Sequence, residues 1–180
     1  MYVFGVVSLL MLPLCRAIVI SPPGLTAQRS SFSAKLRNDL SASSTENQVV
    51  VFDVLLNNVN DNYDVNTGRF NANINGTYVF YLSLMSKNDA ANVAFGCLTK
   101  NGVEQSCVWS NGNGGHEMSS NTVILDLNSG DYVNVILKAG SNYELHATNG
   151  AGYCSFSGFL LYPSQSSMKQ LANVLTTLTN

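Results

Sequence analysis

The stretch Asn57–Met85 reads NNVNDNYDVNTGRFNANINGTYVFYLSLM. Its first half is turn chemistry. Asn and Asp residues surround Tyr63 and Val65, and the Thr67-Gly68 and Asn75-Gly76 pairs mark places where the backbone reaches positive φ. The second half is a strand with period two. Tyr78, Phe80, Leu82 and Leu84 share one face, and Val79, Tyr81, Ser83 and Met85 share the other. Both faces are largely apolar, so the strand needs a cover on each side, either a second layer of the same chain or another chain.

Outward from this stretch the same pattern repeats. Phe32, Ala34 and Leu36 alternate with Ser33, Lys35 and Arg37, which gives a first strand with one wet face. Val49 to Leu56 is apolar on both parities apart from Asp53 and reads as buried or interfacial. Val123, Leu125 and Leu127 alternate, as do Val133, Val135 and Leu137 after a Gly130-Asp131 turn. A last strand spans Tyr153 to Tyr162 and loses its alternation from Phe159 onward. Many short strands separated by turn signals predict an all-β sandwich.

Several of these residues form motifs. Asp64, Thr67-Gly68 with Phe70, and Gly76-Thr77-Tyr78-Val79-Phe80 resemble the central signature of the globular head domain of complement C1q. Ser129-Gly130-Asp131-Tyr132-Val133 and the terminal Phe156-Ser157-Gly158-Phe159-Leu160-Leu161-Tyr162-Pro163 resemble it too. The resemblance covers roughly residues 31–163. It implies a ten-stranded jelly-roll sandwich of the C1q and tumour necrosis factor-like kind, and a homotrimer packed on the outer face of one sheet. Val79, Tyr81, Met85, Phe159 and Leu161 are the candidate contact residues. Without such a contact the second apolar face would leave a patch larger than monomers usually expose; the competing arrangement is one thick core with that face under a loop.

Composition narrows the function. Charged residues are 11% of the 180, against ~25% in typical soluble domains. With 22 Asn and 21 Ser, the expected surface is neutral and hydrogen-bonding. A net charge of −2 gives no electrostatic basis for binding nucleic acid or an anionic membrane. The chemistry of catalysis is sparse. His116-Glu117 does not extend to a zinc-binding helix motif, because Ser120 stands where the second histidine would be. No nucleophile elbow, phosphate loop or Cys-x-x-Cys pair occurs, and both histidines read as loop or surface residues. The expected mode of action is binding, not catalysis.

Met1–Ala17 has an apolar run and small residues Cys15 and Ala17 at cleavage offsets, the pattern of a secretory signal peptide. The run is short of the ~20 apolar residues a spanning helix needs, so no membrane insertion is expected. Residues 18–30 read as a linker: Pro22-Pro23-Gly24 is present, but not the repeated glycine of a collagen stalk. Residues 31–163 form the domain, and 164–180 a tail. In that tail Met168, Leu171, Leu175 and Leu178 fit a heptad seam, with Ser167 and Gln170 at capping spacing; a helix and a frayed end are both open.

Secretion leaves Cys97, Cys107 and Cys154. A two-residue Asn101-Gly102 turn sets Cys97 opposite Ser106, whereas a three-residue loop, or a bulge, sets it opposite Cys107. Family resemblance, which allows a bridge in this region, implies Cys97–Cys107 with Cys154 a buried free thiol. Asn75-Gly76-Thr77 is a glycosylation sequon, although Asn-Gly also suits a turn there.

The candidate ligand site is the loop WSNGNGGHEMSSN, Trp109–Asn121, with Trp109, Asn111, Asn113, His116 and Glu117. An aromatic platform among neutral amides suits a sugar or a partner loop, while the alternative is a hairpin connection whose Trp packs inward. No cofactor is expected. Calcium-binding relatives place carboxylates here, but Glu117 is the only acid in the loop and calcium prefers about six to eight oxygens. Asp61 and Asp64, with Asn60 and Asn62, form a second cluster in which Asp64 reads as a turn former. The resemblance implies a secreted, lectin-like recognition trimer of innate immunity, binding glycans or microbial surfaces. Its alternative is a structural or signalling trimer that engages an extracellular protein.

Overall fold

The computed structural model describes residues 28–60, 62–89 and 91–166, together with 169 and 173. The expected signal peptide, most of the expected linker, Asp61, and the expected tail seam of Met168, Leu171, Leu175 and Leu178 with Ser167 and Gln170 lie outside the described residues. Gln165, Ser166, Lys169 and Asn173 are helical.

Among the described residues, thirteen antiparallel strands make two facing sheets and a small two-stranded ribbon. They are β1 Ser31–Lys35, β2 Leu40–Ser41, β3 Gln48–Val49, β4 Val54–Val59, β5 Tyr63–Asp64, β6 Arg69–Asn71 and β7 Gly76–Met85, followed by β8 Val93–Lys100, β9 Val103–Asn111, β10 Met118–Leu127, β11 Tyr132–Leu137, β12 Glu144–Leu145 and β13 Ser155–Pro163. The first sheet runs β10-β7-β13-β1-β4. The second runs β5-β6-β11-β8-β9, with β3 also paired to β11. Apart from the consecutive pairs β5-β6 and β8-β9, neighbours in the two main sheets are not consecutive in sequence, as in the expected jelly roll.

The strand β7 lies between β10 and β13 and behaves as its alternation predicts. Tyr78, Phe80, Leu82 and Leu84 are buried against the opposite sheet, while Val79 and Tyr81 face outward; Met85, on the outward parity, is instead partly buried and packs against the core at the end of the strand. Ser83, on the outward parity, is nevertheless buried and its hydroxyl donates to the Tyr153 carbonyl. The core is aromatic at one end. Phe32 stacks on Tyr63 at 4.8 Å and on Phe70 at 5.1 Å, and Phe156 meets Phe32 edge-on at 4.8 Å. The phenol of Tyr63 exchanges hydrogen bonds with the backbone of Phe52, which satisfies it in that dry setting.

Two local expectations change and one holds. Val49–Leu56 is not one strand: Val50 and Phe52 are fully buried in the connection between β3 and β4, whereas Leu55 and Leu56 on β4 are exposed. Gly68 has φ +68°, but Gly76 does not have positive φ; it opens β7 where a Cβ would lie 2.5 Å from the Tyr162 carbonyl oxygen. The need there is close approach between strands, not a left-handed turn. Asp64 is a turn former, accepting from the Asn66 N–H and the Thr67 hydroxyl, both at 2.8 Å.

Candidate functional site

The hairpin between β8 and β9 builds the site. Asn101 and Gly102, with φ of +51° and +81°, make a two-residue turn that pairs Lys100 with Val103. Continued regularly, that register would set Cys97 against Ser106. Instead it shifts by one between Leu98 and Thr99, and Gln105 is the extra residue. Cys97 then faces Cys107, and the two are bonded with S–S 2.04 Å, while Cys154 is a buried free thiol. Both alternatives in the sequence are thereby resolved: a tight turn and a bulge, not a longer loop.

The same bulge decides where the only Trp points. Past Gln105 the parity of β9 is inverted, so Val108 and Ser110 turn inward and Trp109 turns out, 51% exposed. Trp109 pairs across the hairpin with Phe95, ring centroids 4.9 Å apart. Tyr143, from the connection between β11 and β12, closes the group at 5.8 Å from each. It is held there by the Val93 N–H donating to the Asn142 carbonyl at 2.9 Å and by the Ala42 N–H donating to its own carbonyl at 2.8 Å. Beside the rings, the Lys138 ammonium is 6.0 Å from the Phe95 centroid and 2.5 Å from a Glu104 carboxylate oxygen.

The sequence-derived loop of Trp109–Asn121 is therefore shorter than expected. Trp109 and Asn111 are on β9, residues 118–121 are on β10, and only 112–117 connect them. Its candidates also divide. The Asn111 N–H donates to the Glu117 carboxylate at 2.5 Å, and the Asn113 N–H donates to the Asn111 side-chain oxygen at 3.2 Å, so these residues brace the turn itself. His116 stacks on His146 at 4.2 Å, with its Nδ1 at 3.1 Å from the Ser86 carbonyl. His146 in turn lies 3.2 Å from Asp39 and stacks on Tyr153. Burial works against the Asp39 charge, but hydrogen bonds from the Ala147 N–H and His146 outweigh it and hold the carboxyl below its usual range. Phe95 and Tyr143 were not legible as partners of Trp109. Only the shifted register brings Phe95 opposite, and nothing in GSNYE marks Tyr143.

Among the described residues, the one group of metal-ligating side chains close enough to share an ion is Cys97, Glu104 and Cys107. Both sulfurs there are consumed by the disulfide, so the group does not fit a metal. Asn75 is engaged structurally: its side-chain oxygen accepts from the Ser129 N–H at 2.6 Å and its carbonyl from the Ser164 N–H at 2.7 Å.

On the opposite sheet, Val79 pairs with Phe159 on β13 and with Ile124 on β10, which lays an apolar row across three strands. Ile124 is 61% exposed, Phe159 48% and Tyr81 41%. Met85 pairs with exposed Met118 further along, and Leu161 is exposed at the bulge in β13. Ile124 and Met118 escaped the sequence reading because their membership depends on cross-strand register.

Comparison with known proteins agrees with this architecture. Residues 31–161 match the C1q domain model. The chain is 33% identical over 138 residues to Caprin-2 of Danio rerio, and 33% identical over 123 residues to Complement C1q tumor necrosis factor-related protein 3 of Mus musculus. These alignments take in 77% and 68% of the chain, but it spans only 15% and 48% of those relatives' own lengths. Among solved structures, the globular domain of zebrafish complement 1qA protein superposes with TM-score 0.60 at 23% identity, covering 75% of this chain and 99% of that one. Murine APRIL superposes with TM-score 0.55 at 13% identity, covering 74% of this chain and 98% of its own, and shares the fold. With the jelly roll, the signature residues and the family match in agreement, the chain belongs to the C1q domain family.

Proposed function

We propose that the protein is a secreted recognition protein that works by binding, as a homotrimer with lectin-like affinity for glycans or microbial surfaces. The observation that supports it most is the apolar row of Ile124, Val79 and Phe159, extended by Tyr81 and Leu161 on the outer face of the first sheet. Three such faces around one axis bury one another by closed cyclic symmetry. Three weak sites then engage a repetitive surface together, gaining avidity without new contacts. The Cys97–Cys107 bond suits an oxidising, extracellular setting, and Asn75 is the position at which a glycan would be attached.

The experiment is light-scattering mass of the purified protein at micromolar concentration, followed by binding to a panel of glycans and microbial cells with and without a calcium chelator. A trimer that Ile124→Lys with Val79→Lys converts to a folded monomer supports the assembly; a monomeric wild type refutes it. Selective glycan binding supports recognition. Saturable binding to one host protein, with no glycan bound, points to a receptor-binding trimer.

A further inference from the structure

We propose that Phe95, Trp109 and Tyr143 form a calcium-independent saccharide-stacking site on the outer face of the second sheet. This rests on the glycan-binding reading above; of the Trp109–Asn121 candidates it keeps Trp109 and Asn111, and it replaces Asn113, His116 and Glu117 with Phe95 and Tyr143. The loop candidates are poor ligand groups because the fold already uses them: the Glu117 carboxylate accepts from the Asn111 N–H, and His116 is stacked on His146. The three rings, by contrast, leave the Trp109 indole half exposed at an edge strand.

The platform is preorganised. Trp109 contacts Phe95 at an interplanar angle of 57° and Tyr143 at 79°, so the indole is braced by two other rings. A ligand that stacks on it therefore orders little side chain on binding. Its footprint is also small. The centroids lie within 5.8 Å of one another, the scale of one or two sugar rings, whereas a standard protein interface needs ~800 Å² per partner.

The surrounding chemistry selects a neutral, polar-edged ligand. Lys138 and Glu104 beside the rings neutralise each other, so no net field recruits an anion or cation. Asn111, two residues beyond Trp109 on the same strand face, has its side-chain oxygen held by the Asn113 N–H, and its Nδ2 makes no hydrogen bond among the described residues. That amide is a donor beside the indole, suited to a sugar hydroxyl while the C–H face of a pyranose ring lies on the aromatic surface. Among the described residues, the carboxylates that a calcium-bridged diol would need are not gathered here. Because the platform is on the sheet opposite the apolar row, trimer formation through that row leaves three copies facing outward.

The test uses the full chain and an array of neutral oligosaccharides ending in β-galactose, β-N-acetylglucosamine or α-mannose, read with and without EDTA. Trp109 is the only Trp, so its fluorescence reports on the same contact directly. The expected result is binding that survives EDTA and shifts Trp109 emission. Trp109→Ala, with unchanged circular dichroism and solution mass, weakens it about tenfold or more, and Trp109→Phe recovers part of it. Binding that Trp109→Ala leaves intact, or that EDTA abolishes, overturns this site but leaves the glycan-binding reading standing. If the folded protein binds no glycan, the reading and the site both fall.

Discussion

Replacing both Cys97 and Cys107 with alanine is expected to cost the domain about 2.7 kcal/mol, the chain-entropy value for a bridge between residues separated by 10 positions. Cys97 is fully buried, so loss of its sulfur adds a packing cost on the order of 1 kcal/mol. The midpoint of thermal unfolding should fall by roughly 5–15 °C for a domain of this size. Urea unfolding of wild type and variant at one fixed protomer concentration would be followed by far-UV circular dichroism and by Trp109 fluorescence. The second probe tests the register. If the inward packing of Leu98 and Val108 holds the bulge, the native variant keeps solvent-exposed Trp109 emission even without the bond. A slip of one residue would drive the indole inward and shift its emission to the blue. A stability loss under about 1 kcal/mol would refute loop closure as the bond's contribution, and a blue shift would refute the core as keeper of the register.

Three further outcomes follow from particular side chains. A Cβ at Gly158 would sit 2.5 Å from the Phe80 ring and 2.9 Å from the Phe32 ring, so Gly158→Ala should destabilise by roughly 1–3 kcal/mol; a neutral result in urea unfolding would mean the rings have room to move. Burial pushes the Cys154 thiol up to about 11, so peptide mapping after iodoacetamide at pH 8 should find Cys154 unlabelled in the native protein and labelled after unfolding without reductant; native labelling contradicts that burial. Asp39 is held low by its hydrogen bonds from Ala147 and His146, and Asp131 by the Asn101 side chain, the Asn128 N–H and Lys100. A depressed folded pKa means stability that is present above the unfolded value of about 4 and lost as pH falls through the folded one. Unfolding midpoints measured from pH 6 to pH 2 should therefore drop at the acid end, less steeply in Asp39→Asn; an unchanged slope would show that the carboxylate is not linked to folding.

Local chemistry made much of this molecule legible. Period-two alternation in Tyr78–Leu84, in Phe32–Leu36 and in Val133–Leu137 names the buried face of three strands, because a pleated strand sends alternate side chains to opposite sides whatever its partners are. Asp64 could be identified as a turn former because its bonds reach only to Asn66 and Thr67, two and three residues along. What lay beyond reach was the relation between strands. One extra residue, Gln105, inverts the parity of β9, joins Cys97 to Cys107 and faces Trp109 outward. Nothing in Val103–Asn111 marks that bulge, since it depends on which side of the strand packs against the opposite sheet, where Leu98 and Val108 are buried. Tyr143 reaches the indole from a connection 34 positions away, and Ile124 joins Val79 and Phe159 only through three-strand register. Sequence alone determined the alternating strands β1, β7 and β11, their inner faces and the family signature, because those depend on neighbours along the chain. The aromatic platform and the apolar row were decided by tertiary structure, because each depends on which distant strands pair and in what register.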